Sequence, residues 1–512
     1  MPDSPSPPAA LLRLHPDDPV AIARHAVAAG TAVAPGLVTT DAIPVGHKVS
    51  LVPIAAGAPV KKYGQVIGLA AANIAAGAHV HTHNLRFDKG QRDRRIGTAR
   101  RGPVQLPEAE RATFDGIVRT DGRVGTRNYV GVLTSVNCSA TVARAIADRL
   151  RGRLADRWPG VDGVVALTHQ TGCGMASVGP QMDLLRRTIA GYARHPNFAG
   201  VLIVGLGCEA NQIDRVLGAE NLVPGDRLRT LVMQDEGGTA ATIRRGVGEV
   251  EALLDIAAAE ATRQPVPASH LTVALQCGGS DAFSGLSANP SLGVAVDHLV
   301  AHGGTGVLAE TPEIYGAEHL LLARAATDPV GQTLIDTVAW WERYAEAGQA
   351  SLDNNPTPGN KAGGLTTILE KSLGAVAKAG STDLVDVIGY AHPATARGLV
   401  FMDSPGYDPV SVTGQVASGC NVVVFTTGRG SCFGCIPAPS LKLCTNTATW
   451  QRMAEDMDVN CGTVIDGDAD LPTLGRRIFD LILATASGRQ TASEALGYGE
   501  AEFAPWTLGI TV

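Results

Sequence analysis

The stretch from Asn128 to Cys277 contains four apolar runs that each end in a cysteine: NYVGVLTSVNC (128–138), DGVVALTHQTGC (162–173), NFAGVLIVGLGC (197–208) and HLTVALQC (270–277). The runs are rich in valine, leucine and isoleucine without polar alternation, which is typical of strands buried on both faces of a parallel sheet. The cysteines at 138, 173 and 208 are evenly spaced, and strand–helix units of parallel α/β folds repeat at a comparable spacing. Because parallel strands end at one edge, we expect Cys138, Cys173, Cys208 and Cys277 to gather where open α/β sheets bind ligands.

The composition indicates a chain of several domains and excludes some partners. With 512 residues, of which 45% are hydrophobic, the chain can build two to four cores. A net charge of −7 argues against nucleic acid, and no apolar run reaches the roughly 18 residues that a membrane span needs. The N-terminus lacks the pattern of a secretory signal, so we expect a cytoplasmic protein whose nine cysteines are reduced thiols or metal ligands.

The fold class that these patterns predict is α/β, with a small β-rich domain ahead of a large body of Rossmann-like parallel sheets. This β-rich domain spans residues 1–87, and short strand-like runs separated by Gly, Pro and Asp turns occupy its residues 11–85. The polar, basic stretch 88–113 is interpreted as an exposed, solvated linker. The body then divides into a first α/β domain, 114–266, and a second, 267–512, and RQPVPAS (263–269) predicts a hinge between them.

Three histidines alternate in HVHTHN (79–84). In a strand, alternate residues face one side, so the pattern predicts that His79, His81 and His83 line one face. Imidazoles placed together in this way can hold iron, manganese or zinc. The alternative is an exposed, polar strand end that binds nothing.

The four strand-end cysteines admit two interpretations. Thiolates favour soft metals and iron–sulfur clusters, and a cluster held by three cysteines leaves one iron open to act as a Lewis acid on a hydroxy acid. In the second interpretation each cysteine is a small apolar residue that fills a gap in the core.

Glycine-rich turns follow several strand-like runs, including CGGSD (277–281), PGNKAGG (358–364) and TGRGS (427–431). Glycine lets backbone N–H groups approach an anion, so several such turns suit a ligand with carboxylates and hydroxyls. We expect this ligand to contact a set of basic, amide and glycine residues: Arg123, Arg127, Asn128, Gly278, Gly279, Ser280 and Asn360. Neither a dinucleotide fingerprint nor a P-loop motif is present, which disfavours nicotinamide and nucleotide cofactors.

Ionisable residues beside these turns can supply every role in a β-elimination from a hydroxy acid. Either His169 or Lys361 could be the base that removes the proton next to the carboxylate. Arg127 and Arg429 could hold carboxylates, and Asp281 could orient a partner, as could Glu209. The alternative for any one of them is a surface or capping role.

With these motifs in place, the chain resembles the altronate/galactarate dehydratase family over nearly its full length. The residues that carry the resemblance include IPVGHKVSL (43–51), HVHTHN (79–84), VLIVGLGCE (201–209), QCGGSDAFSGLSANP (276–290), NPTPGNKAGGL (355–365) and FTTGRGS (425–431). The resemblance implies an N-terminal SAF-type β-clip domain and dehydration of a sugar acid to a 2-keto-3-deoxy sugar acid. It also implies iron(II), and the cysteine spacing keeps a [4Fe-4S] cluster open beside a mononuclear site.

The resemblance leaves the substrate open between two branches. HVHTHN resembles the altronate (aldonate) branch, which we favour, whereas QCGGSDAFSG (276–285) resembles the galactarate (aldarate) branch. The segment SCFGCIPAP (431–439), with Cys432 and Cys435, departs from the TPYG-type turn usual in the family and leaves the role of this pair open. A lyase that expels sulfite and a non-catalytic sugar-acid sensor are two further hypotheses for the function. We expect a homodimer or larger homo-oligomer.

Overall fold

The computed structural model describes residues 10–90, 92–102 and 104–508. Its N-terminal module is entirely β, with small antiparallel sheets in the orders β1-β2-β5-β8, β6-β7-β9 and β3-β4. The strands are β1 (Leu11–Leu12), β2 (Val20–Ala23), β3 (Ala32–Ala34), β4 (Leu37–Val38), β5 (Lys48–Ser50), β6 (Pro59–Lys62), β7 (Gln65–Ala70), β8 (His79–Val80) and β9 (Leu85–Arg86).

A four-stranded parallel sheet forms the middle of the chain, in the order β13-β12-β14-β15, beside an antiparallel sheet in the order β11-β10-β16. The strands are β10 (Thr113–Val118), β11 (Val124–Gly125), β12 (Tyr129–Thr134), β13 (Gly163–Leu167), β14 (Phe198–Gly205), β15 (Leu228–Val232) and β16 (Arg263–Pro267). The helices are α1 (Ala140–Arg151), α2 (Leu154–Arg157), α3 (Pro180–Ala193), α4 (Ile213–Ala219) and α5 (Thr239–Ala259).

A seven-stranded parallel sheet forms the C-terminal part, in the order β19-β20-β18-β17-β21-β22-β23. Its strands are β17 (Thr272–Cys277), β18 (Thr305–Leu308), β19 (Leu384–Ile388), β20 (Leu399–Met402), β21 (Val422–Thr427), β22 (Ser440–Cys444) and β23 (Val459–Asn460). The helices are α6 (Ala288–Ala301), α7 (Glu318–Leu322), α8 (Asp328–Ala347), α9 (Pro358–Ala362), α10 (Ile368–Val376), α11 (Asp408–Ala417), α12 (Thr447–Arg452), α13 (Thr463–Asp466), α14 (Leu471–Ala486) and α15 (Ala492–Ala495).

These sheets confirm the predicted α/β class, because the unalternating apolar runs are the buried parallel strands β12, β13, β14 and β17. Every residue of β12, β14 and β17 is buried, as expected for strands covered on both faces. None of the helices in the part of the chain that the structure describes is both long and apolar enough to span a membrane.

Two predicted connecting segments, the hinge at 263–269 and the stretch 88–113, make contacts with the rest of the chain. The expected hinge at 263–269 contains strand β16, which pairs with β10 at the edge of its sheet, where prolines are tolerated. The basic stretch after the N-terminal module is not simply solvated, because Arg92 is mostly buried and forms a 2.8 Å ion pair with Glu318. The backbone N–H groups of Arg101 and Gly102 donate to the carboxylate of Asp383, so the stretch lies against the body.

A buried ion triad joins the N-terminal module to the body. Glu370, on α10, accepts from the ammonium groups of Lys48 at 2.8 Å and Lys62 at 2.9 Å, and all three side chains are almost completely buried. Burial alone would raise the pKa of Glu370, but the two ammonium groups hold it below its ordinary value. Lys48 also donates to the carbonyl of Gly364, which ties the module to the loop before α10.

Replacing Glu370 by alanine is expected to destabilise the protein by about 3–5 kcal/mol, because two buried ammonium groups would lose their counter-charge. The midpoint of chemical denaturation measures the effect. A matched control is Arg476→Ala, which removes the exposed ion pair with Asp480 and should cost about 0.5 kcal/mol or less. Equal losses in the two variants would contradict the importance of the buried triad.

Candidate active site

The carboxyl edge of the seven-stranded sheet carries a cleft of about 340 Å³. Strand β17 is followed in the chain by β18 on one side of it, and β21 pairs on its other side, so the strand order reverses here. Ligands of open α/β sheets bind at such a switch point. The loops after β17 and β21 are joined because the carbonyl of Gly279 accepts from the backbone N–H groups of Gly428 and Arg429.

Both the sheet and the N-terminal module contribute walls to this cleft. The lining side chains that carry charge or hydrogen-bonding groups are Arg24, His25, Asp281, Arg429, Asn446, Thr447, Thr449, Arg452 and Asp466. The guanidinium of Arg429 is exposed and has no hydrogen-bond partner within the described residues, and the Nε of Arg24 is buried without one. The cleft therefore presents cationic groups that are free to hold carboxylates.

Asp281 is buried at the base of the cleft and is held by several donors. Its carboxylate accepts from the hydroxyls of Thr445 and Ser284 at 3.0 and 3.1 Å and from the side-chain amide of Asn446 at 3.1 Å. Burial raises the pKa of Asp281, and these hydrogen bonds oppose that rise. The carboxylate thus fixes Asn446, whose amide also donates to the carbonyl of Gly428.

An imidazole cluster, formed by His47, His79 and His81, lies beside the cleft. The ring centroids are 4.8 to 5.4 Å apart, and Nδ1 of His47 is 2.9 Å from Nε2 of His79. His81 Nε2 lies 2.9 Å from the carbonyl of Lys361, and His47 Nε2 lies 3.3 Å from that of Ala362. The cluster is therefore anchored to the end of α9, at residues 361–363, part of which lines the cleft.

Imidazole nitrogens are donors that suit a borderline metal such as Fe(II), but the nitrogens of these three rings do not converge: within the described residues, three ligand atoms come within 4.8 Å of one another at Cys277, Glu310 and Glu313 instead. A carbonyl can only accept, so the Nε2 atoms of His47 and His81 carry hydrogens and their Nδ1 atoms keep lone pairs. Burial lowers the pKa values of His79 and His81 to about 4, and neighbouring imidazoles add to the shift at His79. At neutral pH these rings are neutral, which is the form that binds metals.

The prediction of one strand face for His79, His81 and His83 is wrong in its geometry. Strand β8 ends at Val80, because the side chain of Asn84 accepts from the N–H of His81 and donates to the carbonyl of His79, which curls the chain into a turn. His83 still lies near His79, with ring centroids 5.3 Å apart. Sequence reasoning missed His47, although IPVGHKVSL (43–51) contains a strand that pairs with the one carrying His79.

Several predicted residues meet at the cleft or at its rim. Gly278, Gly279 and Ser280 follow β17, and the carbonyl of Ser280 accepts from the side chain of Asn360 at 2.8 Å. Lys361 follows Asn360 on α9, and its backbone carbonyl contacts His81 of the imidazole cluster. The seven-stranded sheet thus brings together the glycine turns, Asp281 and Arg429, whereas Lys361 is not among the residues that line the cleft.

Arg123, Arg127 and Asn128 lie away from this edge, because they precede β12 and therefore sit at the amino end of the four-stranded sheet. Arg127 pairs with Glu494, and its guanidinium donates to three backbone carbonyls. Asn128 donates to the carbonyls of Gly160 and Ala257. Arg123 pairs with Asp121 at 2.7 Å. These three side chains join segments of the chain to one another.

His169, Cys138, Cys173 and Cys208 lie at the carboxyl end of the four-stranded sheet, so they are in a different sheet from the cleft. The ring of His169 is buried, and its Nε2 is 2.9 Å from the carbonyl of Thr134. Burial lowers the pKa of His169 to about 4. All nine cysteines, including Cys432 and Cys435, are free thiols.

Cys277 lies instead in a buried charged cluster beneath the cleft, which sequence reasoning did not find. Its sulfur and one carboxylate oxygen each from Glu310 and Glu313 lie within 4.8 Å of one another. The Nζ of Lys378 is 2.9 Å from this sulfur, and Lys371 is 2.6 Å from Glu313. Burial raises the pKa of Cys277 to about 12, so the thiol keeps its proton at neutral pH.

Comparisons with known proteins cover most of the chain and agree on one family. Three family models match: the altronate/galactarate dehydratase SAF domain at residues 9–88, the second domain of D-galactarate dehydratase/altronate hydrolase at 116–258, and the C-terminal part of D-galactarate/altronate dehydratase at 268–511.

Three curated relatives are similar over most of their length. Galactarate dehydratase (L-threo-forming) of Escherichia coli K12 is 38% identical, covering 95% of this chain and 94% of the relative. Altronate dehydratase of the same organism is 35% identical, covering 98% and 99%. The beta subunit of (2R)-sulfolactate sulfo-lyase from Chromohalobacter salexigens is 35% identical, covering 77% of this chain and 97% of the relative.

Replacing His47, His79 or His81 by alanine is expected to weaken Fe(II) binding by roughly 10- to 100-fold, because each substitution removes one imidazole donor. Anaerobic titration with Fe(II), or with Co(II) as a coloured probe, measures the affinity without turnover. His15→Ala is the control, since His15 is an exposed histidine of the same module. If all four variants bind the metal as tightly as the parent protein, the imidazole cluster is not a metal site.

Proposed function

Because the chain belongs to the altronate/galactarate dehydratase family, we propose that it removes water from a six-carbon sugar acid and releases a 2-keto-3-deoxy sugar acid. It is then a hydro-lyase, one of the carbon–oxygen lyases. The observation that carries the proposal is the cleft at the switch point, where a free guanidinium, a buried carboxylate and the imidazole cluster meet. A cytoplasmic location and a homo-oligomeric assembly stay predictions from the sequence.

The elimination divides into steps that residues of the cleft can perform. Arg429 holds the substrate carboxylate and stabilises the charge that develops there when the C2 proton leaves. Lys361 is our assignment for the base, since its backbone carbonyl contacts His81 beside the cleft, while His169 lies in the other sheet. Loss of hydroxide from C3 gives an enol, which tautomerises to the 2-keto acid.

Two further groups assist the elimination. Asp281 fixes the side chain of Asn446 against the Gly428 carbonyl, so this amide can contact a substrate hydroxyl in a fixed orientation. When bound at the imidazole cluster, Fe(II) would supply Lewis-acid assistance to the departing hydroxyl. The neutral state of the rings and their anchoring to the end of α9 support this assignment.

The preferred substrate is an altronate-type aldonate, because HVHTHN (79–84), which supplies His79 and His81, resembles that branch; a galactarate-type aldarate is the second candidate. Similarity to relatives of both kinds, at 35% and 38% identity, leaves the choice to experiment. An unpaired Nε on Arg24, on the module side of the cleft, favours the aldarate, because a second carboxylate needs a second cation. Sulfite release from a sulfo-hydroxy acid is the third candidate, given the similar sulfo-lyase subunit.

Incubation of anaerobically purified, Fe(II)-loaded protein with a panel of aldonates, aldarates and sulfolactate tests the proposal. Semicarbazide trapping reports 2-keto acids, and a sulfite assay runs on the same samples. We expect a keto product from altronate. If only galactarate gives a keto product, the substrate is an aldarate and not an aldonate. If sulfite is released and no compound is dehydrated, the reaction is sulfite elimination and not dehydration. No product from any compound would remove the proposal.

Arg429→Ala should lower kcat/KM by about 10- to 100-fold, because one charged hydrogen bond to the carboxylate is lost. Arg429→Lys should recover part of that loss, since the charge returns without the bidentate geometry. The matched control is Arg244→Ala, on the exposed face of α5, and steady-state kinetics make the comparison. An unchanged kcat/KM for Arg429→Ala would place the carboxylate site elsewhere.

A further inference from the structure

Three exposed cysteines lie side by side at the carboxyl edge of the four-stranded sheet. Cys138 follows β12, Cys173 follows β13 and Cys208 follows β14, and the strand order β13-β12-β14 places their loops in succession. Free cysteine is among the most buried residue types in folded proteins. All three of these are exposed, whereas five of the other six cysteines are buried, so core packing does not explain them.

Hydrogen bonds lock the three cysteine loops together. The N–H of Asn137 donates to the carbonyl of Thr171, and the N–H of Asn211 donates to the carbonyl of Gly172, both at 3.0 Å. The side chain of Asn211 also donates to the carbonyl of Ser135 at 3.0 Å. Gly172 has a φ of +98°, and a Cβ there would collide with the Ser135 carbonyl, so this close approach requires glycine.

A buried carboxylate fixes the third loop. Glu209 accepts from the Ser135 hydroxyl at 2.7 Å, from the N–H of Gly207 at 2.6 Å and from that of Leu206 at 3.2 Å. Its neighbour Cys208 is thereby held against the loop that carries Cys138. The site is thus built before any ligand binds, which lowers the entropic cost of binding.

We propose that Cys138, Cys173 and Cys208 hold a [4Fe-4S] cluster through three thiolates, at a site separate from the cleft. Soft thiolates favour iron–sulfur clusters. Within the described residues, only Cys277, Glu310 and Glu313 bring three ligand atoms as close as 4.8 Å. Neighbouring strands of a sheet lie about 4.8 Å apart. Three cysteines that follow adjacent strands therefore suit a cluster, in which each thiolate binds a different iron, better than a single ion.

The position of the site has two consequences for the cluster. Cys138 lies in the 3₁₀ turn Asn137–Ser139 that leads into α1, so the positive end of that helix faces an anionic group. Three protein thiolates leave one iron without a cysteine, and the exposed loops leave it accessible to a small external ligand. Cys277 is excluded from the set, because it is buried in the other sheet beside Lys378.

Anaerobic reconstitution with Fe(II) and sulfide tests the site without any substrate, so the result does not depend on the proposed dehydration. We expect about four acid-labile sulfides per chain, about four irons in addition to any iron held by the imidazole cluster, and a broad visible absorption band. Mild oxidation should release the iron that lacks a cysteine and give the electron paramagnetic resonance signal of a three-iron cluster.

Replacing any one of Cys138, Cys173 and Cys208 by serine should abolish the bound sulfide and the absorption band. The circular dichroism spectrum should stay unchanged, because the three side chains are exposed. Cys432→Ser, at the remaining exposed cysteine, and Cys277→Ser are the controls and should keep the cluster. Iron or zinc without sulfide in the parent protein would overturn the proposal. So would a full cluster in the three variants, or its loss in Cys277→Ser.

Discussion

One buried carboxylate, Glu370, holds the N-terminal module against the body. It neutralises Lys48 and Lys62, and none of the three charges could stay buried without the others. His47 directly precedes Lys48, and Lys48 also binds the carbonyl of Gly364, next to the loop that anchors the imidazole rings. The geometry of the cleft therefore depends on a charge interaction that makes no contact with a ligand.

The two parallel sheets present two separate carboxyl edges with different chemistry. The edge of the seven-stranded sheet combines imidazole nitrogens, carboxylates and guanidinium groups, which suit a hydroxy acid and a borderline metal. The edge of the four-stranded sheet offers thiols on interlocked loops. In both sheets these groups gather at the carboxyl edge, because parallel strands bring all the loops that follow them to one side.

The buried charged cluster under the cleft, which contains Cys277, Glu310 and Glu313, is less favourable for stability than an apolar core would be. Glu310 has a positive φ of 71°, and both of its carboxylate oxygens are buried without a hydrogen bond within the described residues. Burial, with the nearby Glu313, raises its pKa well above the ordinary value. Burial also raises the pKa of Asp408 to about 7. Strained backbone and buried carboxyl groups without hydrogen bonds occur at functional sites, and here Glu310 forms an ion pair with Lys378 at 3.9 Å, next to Cys277.

The α/β class, the strand ends marked by cysteine and the grouping of His79 with His81 could all be predicted from the amino-acid sequence. These features are local: buried parallel strands need unbroken apolar runs, and residues two apart stay close in any extended or turned chain. The folded chain was needed to bring His47 into the imidazole cluster, to place Arg127 at the opposite edge from the cysteines, and to separate Cys277 from Cys138. Those outcomes depend on strand order and on docking between domains, which arise from contacts between residues far apart in the chain.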